Sequence, residues 1–346
     1  MDGPDGSSQV SAPKLVIGAN GYLGSHVTRN LVGDGHDVRV MVRDGANTIG
    51  IDDLEVTRFV GDIWNDDVLR EAMAGCDDVY YCVVDTRGWL KDPAPLFHTN
   101  VEGTRNVLEI AKDAGLHRFI FTSSYVTVGR RRGHTATEVD VIVDRGLTPY
   151  VRSRVQAENL VMQYARDHGL PAIAMCVSTT YGSRDWGRTP HGAIIAGAAF
   201  GKLPFVLKGI ELEAVGVDDA ARAMILAAEQ GNVGERYLIS DKMMSNVDVV
   251  RIAAEAADVP APTKAVPLAM SWAMAVLGSA KARFKGTDEL LSIGSLRLMR
   301  AEAPVDCGKA KRELGWQPRP VEESIREAAR FWVGLRDAKR KSKSSG

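Results

Sequence analysis

Short apolar runs alternate, along the first half of the chain, with stretches in which apolar residues return every three or four positions. The runs at 15–18, 38–42, 56–60, 79–84, 118–124 and 172–177 read as strands, and the spacing at 25–32, 66–74, 99–114 and 152–168 predicts helices. Strands separated by helices argue for an α/β fold, a doubly wound parallel sheet whose strands are apolar because helices cover both faces. After about Tyr181 the pattern loses this regularity. The apolar run at 265–277 is too short to cross a bilayer and reads as a buried or pocket-lining helix, with weak membrane contact as the alternative.

The first strand-to-helix junction carries the strongest chemical signal. Residues 14–24, Lys-Leu-Val-Ile-Gly-Ala-Asn-Gly-Tyr-Leu-Gly, take an apolar strand straight into three glycines spaced by two residues each. Gly18 permits a tight turn, Gly21 offers no side chain to block a pyrophosphate, and Gly24 lets the next helix lie close to the strand. The free N–H groups at the start of that helix then face the anion, with Asn20, Tyr22 and Leu23 completing the cofactor loop. A turn at Gly33-Asp34-Gly35 leads into the second strand, closing a βαβ unit of the length expected for half of a dinucleotide-binding fold.

The end of the second strand bears on cofactor choice. NAD sites of this architecture place an acidic residue there, against the adenosine ribose. Here Val42 takes that position with Arg43 beside it and Arg39 nearby; no carboxylate occupies the strand end, although Asp44 follows. Arg43, with a planar fork matched to phosphate oxygens, is the candidate for the 2′-phosphate of NADP; a solvated arginine, with NAD bound instead, is the other reading. Asp62 and Ile63 follow the third strand and either hold the adenine edge or open the next helix. Asn100 stands at or before a long helix, where capping would also account for it.

At the end of the fifth strand comes Phe121-Thr-Ser-Ser124, and Tyr150-Val-Arg-Ser-Arg154 opens a later helix. A tyrosine and a cation four residues apart share a helix face, where the cation's field favours tyrosinate and is expected to lower the phenol pKa. Such a phenol gives a proton to a carbonyl oxygen, or takes one from an alcohol, as hydride moves at a nicotinamide. Ser124, or Ser123 beside it, would hydrogen-bond the same oxygen.

Composition narrows the classes without deciding the chemistry. The 346 residues suffice for a full α/β domain and a smaller lobe, and a formal charge of −1 gives no global attraction to nucleic acid or acidic membrane. Cys76, Cys82, Cys176 and Cys307 form no C-x-x-C pair and the seven histidines no ligand-spaced cluster, so no structural metal and a reducing cytoplasm are expected. Residues 1–11 have neither a basic start nor an apolar core and read as part of a disordered tail, while 339–346 form a short basic tail.

These motifs together resemble the extended short-chain dehydrogenase/reductases of the NAD-dependent epimerase/dehydratase family, most of all the dihydroflavonol-4-reductase-like branch. The segments that carry the resemblance are 18–24, Gly61-Asp-Ile63, 99–107, Phe121-Thr-Ser-Ser124, Val217-Asp-Asp-Ala220 and 312–318. The resemblance implies a Rossmann-type sheet with a smaller C-terminal substrate lobe, divided as tail 1–12, dinucleotide domain 13–180, substrate lobe 181–334 with some segments returning, and basic tail 335–346. It also implies Ser124 and Tyr150 in the hydride chemistry, and a possible homodimer through helices 99–114 and 152–168. Three departures stand out. Arg154 replaces the family's lysine, keeping the charge with a wider planar head; Tyr81 with Val83 and Val84 replaces a histidine followed by small residues, implying added bulk near the cofactor; and Val177 replaces a proline.

Three functions follow from this sequence. The first is an NADP-dependent oxidoreductase, with NAD possible, that interconverts a ketone and a secondary alcohol on a small, fairly apolar substrate, with Tyr150 as acid/base, Ser124 orienting the oxygen and Arg154 supplying the field. The second is a nucleotide-sugar epimerase or dehydratase that retains NAD and uses Arg184 and Arg188 for a diphosphate. The third is a dinucleotide-binding protein without turnover, motivated by Arg154 and the bulk of Val83 and Val84.

Overall fold

The computed structural model describes residues 12–131, 133–143, 147–267, 270 and 303–344. Strands β1 (Lys14–Ile17), β2 (Val38–Val42), β3 (Thr57–Val60), β4 (Asp78–Tyr81), β5 (Arg118–Ser124), β6 (Ala172–Val177) and β10 (Arg236–Ile239) form one parallel sheet in the order β10-β6-β5-β4-β1-β2-β3. Alternate strand residues feed two cores. Val16 and Val40 point to one face, against Val27 and Leu31 of helix α1 (Tyr22–Gly33) and Met224 of α7 (Val217–Gln230). Leu15, Ile17 and Met41 point to the other, against Leu69 of α2 (Asp66–Met73), Leu108 of α4 (Thr104–Ala111) and Leu160 of α5 (Pro149–His168). The period of two along each strand is what places helices on both sides.

A second lobe follows Val177. Short strands β7 (Thr179–Tyr181), β9 (Glu211–Gly216) and β11 (Lys242–Ser245) form one sheet, and β8 (Val206–Lys208) pairs with β12 (Ala265–Pro267). Helices α6 (Pro190–Ala199), α8 (Asn246–Glu255) and α10 (Val321–Ser344) enclose a third core around Ile195, Val249 and Ile325, and α9 (Gly308–Glu313) caps the end of β10. The region that looked irregular in sequence thus carries regular elements throughout its described residues. Its strands are short, and α6 reads Pro-His-Gly-Ala-Ile-Ile-Ala-Gly-Ala-Ala with hardly any polar face, so neither period shows. The chain also returns: α7 packs on α1, and β10 completes the large sheet.

Several boundaries differ from the sequence expectation for local reasons. Helix α5 starts earlier because Thr148 caps it, accepting from Val151 N–H, with Pro149 in the first turn. The strand expected at 79–84 ends at Tyr81, and the chain leaves the sheet over the cleft. The single helix expected at 99–114 is instead a run of α3 (Ala94–Phe97), a π-helical segment His98–Gly103 and α4. The basic stretch 335–344 continues α10. The expected tail 1–11 and most of the apolar run 265–277 lie outside the described residues.

His191, in the first turn of α6 and edge-on to Tyr181, is held by burial at a pKa of about 4, down from 6.5. The unfolded chain therefore binds a proton that the folded one refuses, so stability falls as pH drops from about 6.5 to about 4. Urea midpoints across that range should fall less steeply in His191→Gln.

Candidate active site

The winding of the sheet reverses at β1, which lies between β2 and β4, and the crevice at the carboxyl ends of these strands is the expected ligand position. A cleft of about 510 Å³ lies there. It is lined by Gly18, Asn20 and Gly21 after β1, Val42 and Arg43 at β2, Asp62, Ile63 and Trp64 after β3, and Val83, Val84 and Asp85 after β4. Gly18 has φ +84°, and a Cβ there would stand 3.0 Å from Val83 Cγ2. At Gly24 a Cβ would come within 2.3 Å of the Gly18 carbonyl oxygen, so α1 can approach β1 only without a side chain at that position. Helix α1 begins with Gly21 as its cap, no capping side chain and no acidic residue in its first turn. Open N–H donors in a glycine cradle fit the diphosphate of a dinucleotide.

Other loop residues take structural places. Leu23 packs against the core, and Tyr22 turns away from the cleft toward Gly182, edge-on to His26. Arg39 is spent on the carbonyls of Ala72 and Ala74 at the end of α2, whereas Arg43 is exposed on the cleft wall at the end of β2. Asn65, not Asp62, caps α2, and the Asp62 carboxylate instead accepts from Trp64 N–H at the cleft edge.

Asn100, a cofactor-binding candidate from the sequence, does not take the capping place that was its other reading. It caps no helix: it is fully buried in the π-helical segment, accepts from Asp85 N–H at 2.8 Å, and donates to Asp85 C=O at 2.9 Å and to Ser153 Oγ at 3.1 Å. Its amide therefore mimics a strand edge for the chain leaving β4 and ties that chain to α5 one turn beyond the tyrosine.

At the end of β5, Ser123 donates to the buried Glu158 carboxylate, which removes it from the pair of candidates, while the Ser124 hydroxyl is hydrogen-bonded to Tyr150. Val177 sits beside Ser124 in the β5–β6 register, buried and apart from the cleft lining. Four residues after Tyr150, Arg154 is 1% exposed. Its Nη2 donates to the Thr122 carbonyl and its guanidinium lies 5.2 Å from the Phe121 ring centre, while Nε and Nη1 have no hydrogen-bond partner among the described residues.

The phenol does not titrate as the sequence predicts. Burial pushes the Tyr150 pKa up, and this outweighs the lowering by the Arg154 guanidinium and by the Ser124 hydrogen bond, while the Asp85 carboxylate adds to the rise. Tyr81, too, differs from expectation. It is fully buried between Phe119 and Phe121, so its bulk fills the core, and only Val83 and Val84 add bulk to the cleft.

Sequence reasoning missed three groups at this site. Asp85 is buried, faces the phenol electrostatically and holds Arg87 through Nε at 2.9 Å and Nη2 at 2.6 Å. Trp64, 40% exposed, stacks on His98 with ring centres 4.3 Å apart at the cleft edge. Glu158 lies one turn beyond Arg154. An acid two residues from an arginine just past a strand, and a glutamate at the i+8 position from Tyr150, were the available signals.

Comparison with known proteins agrees with this geometry, since residues 14–240 match the NAD dependent epimerase/dehydratase family. The chain belongs to that family. As a member it is an NAD(P)-dependent oxidoreductase of the extended short-chain type. A Synechocystis sp. protein provisionally named a dihydroflavonol 4-reductase is 28% identical over 325 residues, covering 92% of this chain and 94% of its own. The 4-hydroxy-2-methyl-3-oxo-4-farnesyl-3,4-dihydroquinoline-1-oxide ketoreductase of Stigmatella aurantiaca is 27% identical over 325 residues, 91% of this chain and 95% of its own. The crystal structure of gox2253 superposes with a TM-score of 0.83 at 31% identity, covering 94% of this chain and 99% of that one. No helix among the described residues is long and apolar enough to cross a membrane.

Proposed function

We propose that this family member is an NADP-dependent reductase that interconverts a ketone and a secondary alcohol on a small, largely apolar molecule. The observation that carries the reading is the Ser124–Tyr150 hydrogen bond, one helical turn before the buried Arg154; none of the three lines the glycine cleft itself, and the phenol is linked to it through Asp85, a cleft residue whose carboxylate it feels. Gly18, Asn20 and Gly21 would hold the diphosphate of the dinucleotide, Arg43 its 2′-phosphate, and Asp62 and Ile63 its adenine edge, while Arg154, buried and outside the cleft lining, would act through its charge. The bound dinucleotide supplies the hydride.

The residues supply the rest of the chemistry. A phenol whose pKa is raised by burial is protonated at neutral pH, the form that donates to a carbonyl oxygen. Ser124 donates to the same oxygen and orients it. Once the proton has left, the Arg154 charge stabilises the phenolate on the shared helix face. Val83 and Val84 narrow the cleft wall and favour an apolar substrate over a sugar, and the farnesyl-bearing ketone in the name of the Stigmatella relative is in keeping with this.

The test combines two measurements: mass spectrometry of small molecules released on denaturing the purified protein, and NADPH consumption over a panel of cyclic, aryl and long-chain ketones. NADPH-dependent reduction of at least one apolar ketone, faster than with NADH, is expected. Protein that carries tightly held NAD and melts higher with a nucleoside-diphosphate sugar would replace this reading with the epimerase/dehydratase one. Binding of the dinucleotide with no turnover on any panel member would replace it with a non-catalytic binder.

A further inference from the structure

Beneath the phenol, α5 carries three functional positions on one face, one turn apart: Tyr150, Arg154 and Glu158. Glu158 is 3% exposed, and its carboxylate is fully engaged. One oxygen accepts from Arg236 Nη1 at 2.7 Å, and the other from Ser123 Oγ, from Thr127 Oγ1 at 2.8 Å and from Cys176 Sγ at 3.3 Å. Arg236 comes from β10, the returning edge strand, and is anchored on its far side by the carbonyls of Glu138 and Asp140. The buried row therefore alternates in sign: Arg154 positive, Glu158 negative, Arg236 positive.

That order leaves a question of allegiance. Arg154 has two buried nitrogens, Nε and Nη1, without partners among the described residues and a carboxylate one helical turn away, the spacing at which such pairs ordinarily close. They do not close here, since Arg236 and three neutral donors already occupy Glu158. We propose that Arg236 is a positioning residue for the reaction: by engaging Glu158 it keeps that carboxylate from capturing Arg154, so that the Arg154 charge remains available to Tyr150. This inference rests on the reading of Tyr150 as the proton-transfer group.

The groups around the phenol can be named from each side. Arg154 faces it from α5, Ser124 from β5, Asp85 from the chain after β4, and Tyr125 from the turn after β5. Arg154 in turn feels Tyr81, Glu158 and Cys176, and Arg236 feels Glu158, Cys176 and Glu138. Changing Arg236 or Glu158 also alters hydrogen bonds to Ser123, Thr127 and Cys176 or to the carbonyls of Glu138 and Asp140, but none of these partners is a residue on the Tyr150–Arg154–Glu158 face of α5.

The test is the pH profile of kcat/KM for oxidation, by NADP, of the secondary alcohol whose ketone serves best in the panel. This direction requires the phenolate, so the rate rises with pH through the Tyr150 titration. Arg236→Met should release Glu158 to Arg154 and move the rising limb to higher pH by roughly half a unit to one unit. Glu158→Gln removes the competitor and should move the limb to lower pH by a similar amount, and Arg236→Lys should restore the wild-type position. Opposite shifts in the two variants are the signature of the charge balance, because a merely structural ion pair would give no shift, or the same shift, whichever partner is lost. Thermal midpoints identify variants that have failed to fold, and Arg236→Lys with Glu158→Gln keeps the comparison if Arg236→Met does. A limb that stays in place, or moves the same way in both, overturns the inference while leaving Tyr150 in its role. A rate that survives Tyr150→Phe overturns the reading beneath it.

Discussion

Tyr150→Phe is expected to lower kcat/KM for ketone reduction by about 10²–10⁴-fold while leaving NADPH binding and the unfolding midpoint near those of the wild type. The substitution removes one hydroxyl and keeps the ring, so packing at the start of α5 is preserved and only the proton and its hydrogen bond with Ser124 are lost. The side chain is partly buried and packs against the core shared by α1, α7 and the sheet, which is why a large change in stability is not expected. Steady-state rates with NADPH, fluorescence titration of NADPH and urea denaturation separate the three quantities. An unchanged rate on a panel ketone would take the phenol out of the chemistry and leave the cleft as a binding site alone.

Gly24→Ala should show the second large effect, of a different kind. The new Cβ would lie 2.3 Å from the Gly18 carbonyl oxygen and 3.2 Å from Ala19 Cα, and these are backbone atoms that cannot swing aside. Either α1 lifts off the strand or the glycine turn distorts; overpacking of this kind costs about 1–3 kcal/mol of stability. On the proposed reading, in which the N–H donors of this turn hold the diphosphate, NADPH affinity should fall about tenfold or more, the equivalent of one charge-assisted hydrogen bond. Urea midpoints report the first loss and cofactor titration the second. Normal stability with unimpaired affinity would mean that the helix does not approach the strand as closely as the structure has it.

How much of this was legible beforehand depended on how local the cause was. The βαβ unit, the glycine turn and strands β2, β5 and β6 followed from apolar period and glycine spacing, because each is decided by residues within a few positions of one another. Thr148 and Pro149 announced the start of α5, although the helical spacing alone placed it later. The π turn at His98–Gly103 has no such signature. An inserted residue in a helix is stabilised by what its side chains meet, and Asn100 meets Asp85 and Ser153 from distant elements.

The pair Tyr150 and Arg154 marks the same boundary. Their shared face was a matter of helical spacing, and so was the prediction that the cation draws the phenol pKa down. The outcome was set by burial among β4, β5 and α5, which outweighs that pull.

By itself, then, the sequence determined the alternating architecture, the phosphate cradle and the helix face that carries the phenol, since these are short-range consequences of period, capping and glycine content. Only the tertiary structure decided that Ser123 belongs to Glu158 and Ser124 to Tyr150, that Arg43 is left at the cleft while Arg39 caps α2, and that Arg236 arrives from the last strand of the sheet to hold Glu158. Partners of buried polar groups are chosen among residues far apart in the chain, by which of them the folded layers bring within hydrogen-bond reach, and no local pattern encodes that choice.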